Sequence, residues 1–133
     1  MSHAAQEASF KSVKLAQAHD KEGWLDCFAE DAVVQDPVGI SPLDPTGEGH
    51  KGREAIGAFY DLTIAGGEMN AEIISSHPSG NECANKVALT KKYSEEMIIS
   101  VEMIVVYRIN DAGKIESLKA YWDYQEVEKQ FAG

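Results

Sequence analysis

An α+β fold is predicted by three observations in the 133-residue sequence. Apolar residues recur at helical spacing through the first half, in three segments separated by polar and Gly/Pro punctuation. The second half carries runs of alternating, β-branched-rich residues, as half-buried strands do. The turn Asn110-Asp111-Ala112-Gly113 joins the last two of these runs. Three helices followed by antiparallel strands put the helices on one face of a strongly curved sheet, and the length fits a single domain over 1–133.

In chain order, Ala8, Phe10, Val13, Leu15 and Ala16 give the first helix an imperfect apolar face that ends near His19, where an imidazole suits a helix C-terminus. Asp20 is a candidate N-cap for a second, short helix whose apolar side is Trp24, Leu25, Cys27 and Phe28. Ala32 to Gln35 reads as a strand. Pro37 then holds Asp36 away from the helical region, so the strand ends there in an extended or turn conformation. Gly39 to Gly52 reads as a loop punctuated by Pro42, Pro45, Gly47 and Gly49. The third helix begins near Arg53, presents Ala55, Ile56, Phe59, Tyr60 and Ile64, and stops at Gly66-Gly67.

Strands are expected from Met69 to Ser76, Cys83 to Tyr93, Met97 to Ile109 and Lys114 to about Tyr124, with a turn over His77 to Asn81. The two-residue period puts Val101, Met103, Val105, Tyr107 and Ile109 on one face, joined by Leu118, Ala120 and Trp122 from the next strand. On a bent sheet that face would line an apolar pocket for a hydrophobic small-molecule ligand. An ordinary filled core would use the same residues, and periodicity does not separate the two. The opposite face, with Glu102, Ile104, Val106 and Arg108, is expected to pair two copies as a homodimer.

Charge narrows the partners. There are 12 Lys plus Arg against 22 Asp plus Glu, for a formal net charge of −10. A polyanion or an anionic membrane surface would have to be met against that field, so no nucleic-acid and no membrane partner is expected. The first seven residues lack the basic start and apolar core of a signal peptide, and Cys27 and Cys83 have no redox or metal spacing. A cytoplasmic protein with reduced thiols is expected. No ligand-spaced His, Cys, Asp and Glu set and no phosphate-cradling Gly-rich loop is present, so no metal and no cofactor are expected.

Asp36 is the candidate for chemistry. It stands between the apolar pair Val33-Val34 and the turn Pro37-Val38-Gly39. A carboxylate at the edge of an apolar pocket loses hydration and gains strength as a base. The same Asp-Pro pair would equally serve a solvated turn. His50 lies in the long loop, either against a ligand or in solvent, and His77 sits in a turn.

The segment Trp24-Leu25-Asp26-Cys27-Phe28-Ala29-Glu30-Asp31-Ala32-Val33-Val34-Gln35-Asp36-Pro37-Val38-Gly39 resembles the N-terminal third of ketosteroid isomerases. The likeness continues through Gly52 to Tyr60 and returns at Asn110 to Lys114 and Ser117. Those enzymes are similar in architecture to nuclear transport factor 2, the SnoaL-type polyketide cyclases, scytalone dehydratase and limonene epoxide hydrolase. The resemblance implies an NTF2-like cone, with three N-terminal helices packed on a strongly curved mixed, mostly antiparallel sheet. It makes Asp36 the general base that shuttles a proton within a β,γ-unsaturated ketone. Tyr60 matches a third-helix tyrosine that supports the oxyanion donors, and Trp122 an aromatic pocket residue.

The donors themselves differ. The resemblance puts Ser12 where the family has a tyrosine and Val105 where it has a protonated aspartic acid. Tyr60 or Tyr107 is left to supply a phenol instead, or both are core residues with satisfied hydroxyls. Proton transfer on a steroid-like ketone, with Asp36 and Tyr60 as catalytic residues, is therefore weighed against a binding protein that has lost the chemistry. An interaction subunit that uses the outer sheet face is a third reading.

Overall fold

The computed structural model describes residues 3–132, so Met1, Ser2 and Gly133 of the expected domain lie outside the described residues. Helix α1 (Ala4–Gln17) buries Ala5, Ser9, Ser12 and Ala16. This face is built from small residues, and Phe10, expected on it, is 41% exposed. The serines suit a buried face because each hydroxyl returns to a carbonyl one turn back, Ser9 to Gln6 and Ser12 to Ser9 at 2.8 Å. α1 stops just before His19, which adopts φ 57°. The amides of His19 and Asp20 reach back to Ala16 and Leu15, which closes the helix with a left-handed cap.

Asp20 caps α2 (Lys21–Asp26) as expected, accepting from the Gly23 amide at 3.0 Å. Phe28 is not helical: it opens β1 (Phe28–Gln35), which is longer than the expected Ala32 to Gln35. The expected loop from Gly39 to Gly52 contains a short strand, β2 (His50–Lys51), paired to Val33 and Val34, and an isolated bridge between Ser41 and Asp44. α3 (Gly52–Thr63) then packs on β1, where the Arg53 guanidinium donates twice to the Phe28 carbonyl, at 3.1 and 2.6 Å. Gly67, at φ 73°, turns the chain so tightly that a side chain there would strike the backbone of Lys92.

The remaining strands are β3 (Glu68–Ser79), β4 (Glu82–Lys92), β5 (Ile98–Ile109) and β6 (Ile115–Tyr121). His77 and Pro78 belong to β3 rather than to a turn, opposite Ala84 and Cys83. Proline is tolerated there because β3 is an edge strand. The Asn110 to Gly113 turn forms as expected, with the Asn110 side chain accepting from the amides of Ala112 and Lys114. The final strand ends at Tyr121, and a fourth helix, α4 (Tyr124–Ala132), follows where a strand was expected to finish. Tyr124, Val127 and Phe131 recur at helical spacing there.

The six strands form one sheet in the order β2-β1-β6-β5-β4-β3. β1 and β6 run parallel, and every other pairing is antiparallel. Register shifts between Phe28 and Val33, Ile73 and Ser75, and Arg108 and Ile109 bend the strands and curve the sheet. The curved sheet and its helices are the mixed, cone-like α+β arrangement that the sequence predicts. Phe28, Val34, Ile56 and Ile115 are completely buried between helices and sheet. No described helix is long and apolar enough to cross a membrane.

Candidate functional site

The concave face of the sheet encloses a cavity of about 310 Å³, at the small end of the roughly 300–1,000 Å³ of small-molecule sites. α1 contributes Ser12, Val13 and Ala16 to its wall, and α2 contributes Trp24. Phe59, Leu62 and Thr63 come from α3, and Val127 and Phe131 from α4. From the sheet, β4 adds Val87, Leu89 and Lys91, and β5 adds Val101, Met103, Val105 and Tyr107. Leu118 and Trp122 complete the far side, and the loop after β1 sends in Leu43. The alternation read from the sequence is therefore the alternation of a cavity wall along β5.

Asp36 lies on this wall immediately after β1, followed by a cis peptide to Pro37. The amide of Val38 donates to the Ala120 carbonyl at 3.0 Å and so fixes the turn against β6. The Trp122 indole donates from Nε1 to Asp36 Oδ1 at 2.5 Å. Burial raises the Asp36 pKa to about 6, with the indole hydrogen bond pulling the other way. Desolvation disfavours the carboxylate, and the donor stabilises it. The net result is a carboxylate that is ionised near neutral pH yet far more basic than one in water.

Tyr107 shares this end of the cavity. The residue is 4% exposed. Burial raises its pKa well above the usual phenol value, a hydrogen-bonding contact with Ser12 opposes that rise, and the nearby Asp36 charge adds to it. The phenol therefore stays protonated. Ser12 itself is buried and spends its own proton on the Ser9 carbonyl. Val105 presents only methyl groups.

Two expected site residues are placed elsewhere. Tyr60 does not reach the cavity wall. Its ring packs on Trp24 with 5.4 Å between centroids, and the Lys21 ammonium lies 6.0 Å from its centroid. Burial raises its pKa, and Asp20 and Asp61 add to the rise. Tyr60 is thus packed in the core between α2 and α3, beside Trp24 and under Lys21. Ala120 faces inward as its parity requires, but its methyl is 1% exposed and belongs to the packed core. Its role is to carry the carbonyl that anchors the turn after Asp36. His50 also stays off the wall. It stacks on Phe59 at 4.8 Å, with its Nε2 buried and unpaired.

Sequence reasoning passed over Lys91, although its parity with Val87 and Leu89 was available. Lys91 is 6% exposed and donates from Nζ to the Ile64 carbonyl at 2.5 Å. Burial lowers its pKa. The helix α4 residues were missed as well, although their spacing was there to be read. Among the described residues, no three His, Cys, Asp or Glu side chains group as metal ligands would. Cys27 and Cys83 are buried free thiols.

Residues 11–118 match the family model described as SnoaL-like domain. The chain is also similar to several solved structures. RV0760c from Mycobacterium tuberculosis is 36% identical with a TM-score of 0.89, over 94% of this chain and 95% of that one. RV0760c in complex with estradiol-17beta-hemisuccinate gives 36% and 0.87, over 93% and 97%. The Delta 5-3-ketosteroid isomerase from Mycobacterium sp. is 32% identical with a TM-score of 0.87, over 93% of this chain and 96% of that one.

Proposed function

The chain belongs to the SnoaL-like domain family, and from that premise we propose that it moves a proton within a hydrophobic, steroid-like ketone, with Asp36 as the general base. The observation that carries this reading is the buried Asp36 carboxylate, its pKa raised to about 6 by desolvation, on the wall of a largely apolar cavity. A base poised there is ionised at neutral pH and strong enough to take a proton from carbon made acidic by a neighbouring carbonyl. The similarity to RV0760c bound to an estradiol derivative, and to a ketosteroid isomerase, supports a steroid-like ligand.

The step begins with a β,γ-unsaturated ketone whose oxygen accepts a hydrogen bond from the Tyr107 phenol. Asp36 removes the proton from the carbon between the carbonyl and the double bond. The electron pair moves through the carbonyl to leave a dienolate with its charge on oxygen. A buried donor is worth most at this point, because charge develops there in the absence of water. The Asp36 carboxylic acid then returns the proton to the γ carbon, and the double bond shifts into conjugation. The carboxylate is regenerated, and no other reactant is consumed. Tyr107 supplies the donor from β5, on the side of the cavity where Ser12 and Val105 contribute no strong one.

A binding protein without chemistry is the second reading. It is favoured by Ser12 donating to Ser9 and by the purely apolar Val105. One experiment separates the two. A 3-oxo-Δ5 steroid is titrated while tryptophan fluorescence follows binding and absorbance follows the conjugated enone, in the parent and in Asp36→Asn. The isomerase reading expects binding in both proteins, with turnover falling by roughly three orders of magnitude in the variant. Binding without turnover in the parent would establish the second reading for that ligand.

We also propose a homodimer through the outer sheet face and a cytoplasmic location. The support for pairing is that Ile104 and Tyr121, 43% and 47% exposed, are cross-strand partners there. Cys27 and Cys83, buried and not joined in a disulfide, fit that compartment. Sedimentation of the parent and of Ile104→Lys tests the dimer, which predicts a doubled mass in the parent alone.

A further inference from the structure

Among the described residues, Asp36 and Lys91 carry the only two formal charges on the cavity wall. They stand far apart. The Asp36 turn is anchored to Ala120, which pairs with Val105, whereas Lys91 pairs with Ile99. Six residues of β5 separate those levels, about 20 Å of strand at 3.3 Å per residue, less across the curve of the sheet.

Lys91 makes no ion pair among the described residues. Its ammonium gives one hydrogen bond to the Ile64 carbonyl, at the C-terminal end of α3, and lies 5.8 Å from the centre of the Tyr93 ring. An ammonium has three donors, so two have no protein partner among the described residues. A cation at a helix C-terminus is favourable, and that contact accounts for one donor. It does not account for a lysine buried to 6% with no counter-charge, because an unpaired buried charge is costly. A ligand anion that enters the cavity supplies that counter-charge without having to displace a protein carboxylate.

We propose that the cavity takes an elongated, polycyclic keto acid, whose terminal carboxylate is held by Lys91 while its ketone meets Asp36 and Tyr107. The assignment rests on the reading of this cavity as a steroid-like ketone site and adds the second polar end. The wall between the two ends, with Val101, Met103, Leu89 and Val87, is apolar and suits the fused rings. Charge at one end and a ketone at the other also fix the orientation of the bound ligand.

Testosterone hemisuccinate carries both ends, its methyl ester lacks the charge, and testosterone lacks the arm. Trp24 and Trp122 are the only tryptophans and both line the cavity, so intrinsic fluorescence reports all three affinities. The parent is expected to bind the acid roughly ten- to hundred-fold tighter than the ester, the range of a charge-assisted hydrogen bond. Lys91→Met is expected to erase that preference and to keep the affinities for ester and testosterone, which also certify its fold. A helix-capping role alone would lower thermal stability in the variant and leave the acid-to-ester ratio at one in both proteins. Equal affinities for acid and ester in the parent would overturn the assignment, whatever the variant does, and leave the steroid reading standing. An acid preference that survives Lys91→Met would overturn it too. Failure of all three ligands to bind the parent would remove both readings.

Discussion

The Trp122 indole N–H and the Asp36 carboxylate, 2.5 Å apart, tie the chain beyond β6 to the chain beyond β1. The two strands run parallel, so both residues emerge at the same end of the sheet. The contact therefore orients the Asp36 carboxylate and tunes its acidity together. Burial alone pushes the carboxyl up, and the indole holds it near 6. An indole is suited to this, since it donates a single hydrogen bond from an otherwise apolar body.

Trp122→Phe keeps an aromatic wall and removes the donor. A hydrogen bond to a charged acceptor contributes about 1.5–3 kcal/mol, or roughly one to two pKa units. The Asp36 pKa should rise by up to that amount, and with it the midpoint of any rate-pH profile or the titration of the Asp36 carboxyl carbon by NMR. An unmoved midpoint would mean that the indole does not stabilise the charged form.

Proton abstraction needs the ionised base. Turnover of a 3-oxo-Δ5 steroid should therefore rise with pH through a midpoint of about 6 and level off above it. Steady-state rates between acidic and mildly alkaline pH check this. A profile that is flat down to the ordinary range of aspartic acid would remove Asp36 from the role of a buried base.

The same shift has a cost in stability, with an unusual sign. The folded protein holds the Asp36 proton more tightly than the unfolded chain, whose reference value is 3.8. Between about pH 4 and 6 the folded state binds more protons, so the contribution of this group falls as pH rises and stays low above 6. A shift of roughly two units corresponds to about 3 kcal/mol. Asp36→Asn, which keeps an acceptor for Trp122, should thus be more stable than the parent at pH 8, with most of the gain gone at pH 4. Chemical denaturation at the two pH values measures the difference.

Asp36 was legible because its signal is local: an apolar run, then Asp-Pro, then a turn. The β5 wall was legible because strand period maps directly onto cavity and solvent faces. Lys91 was not, because a lysine beside Lys92 reads as solvated surface, and only the parity of β4 places one of the pair inside. The burial of α1 was misread for a related reason. Its inner face is serine and alanine, whose value is close approach rather than hydrophobicity, so Phe10 drew attention outward. Tyr60 shows where sequence position stops: the residue matches, but its ring packs against Trp24 and Lys21 and stays off the cavity wall. That orientation depends on packing against Trp24, which no local pattern reports.

In the proposed reaction Tyr107 is the donor for the reacting oxygen. Tyr107→Phe should lower turnover about a hundred-fold, the lower part of the range for a lost oxyanion donor, while changing ligand affinity only a few-fold. Tyr60→Phe should leave both nearly unchanged. Parallel kcat and binding measurements on the two variants check the assignment, and a larger loss from Tyr60→Phe would reverse it.

The packing of α1 against the sheet gives the last prediction. Asn85 is completely buried on β4, with its amide donating to Ser9 Oγ at 3.0 Å and its carbonyl oxygen accepting from Ser76 at 2.6 Å and Cys83 at 3.2 Å. Gln6 adds a bond to Ser76 at 2.9 Å, so α1, β3 and β4 meet in one polar cluster under the serine and alanine face of the helix. Removing its centre leaves Ser9 without the Asn85 donor and Ser76 and Cys83 without the Asn85 acceptor, each a cost of about 1–3 kcal/mol where water does not reach. Asn85→Ala should therefore destabilise the fold by roughly 3 kcal/mol or more in denaturant titration. It should leave the pKa of Asp36 where it is, since Asn85 lies off the cavity wall. A shift in both would mean that the position of α1, and of Ser12 on it, sets the environment of the base as well as the stability of the helix.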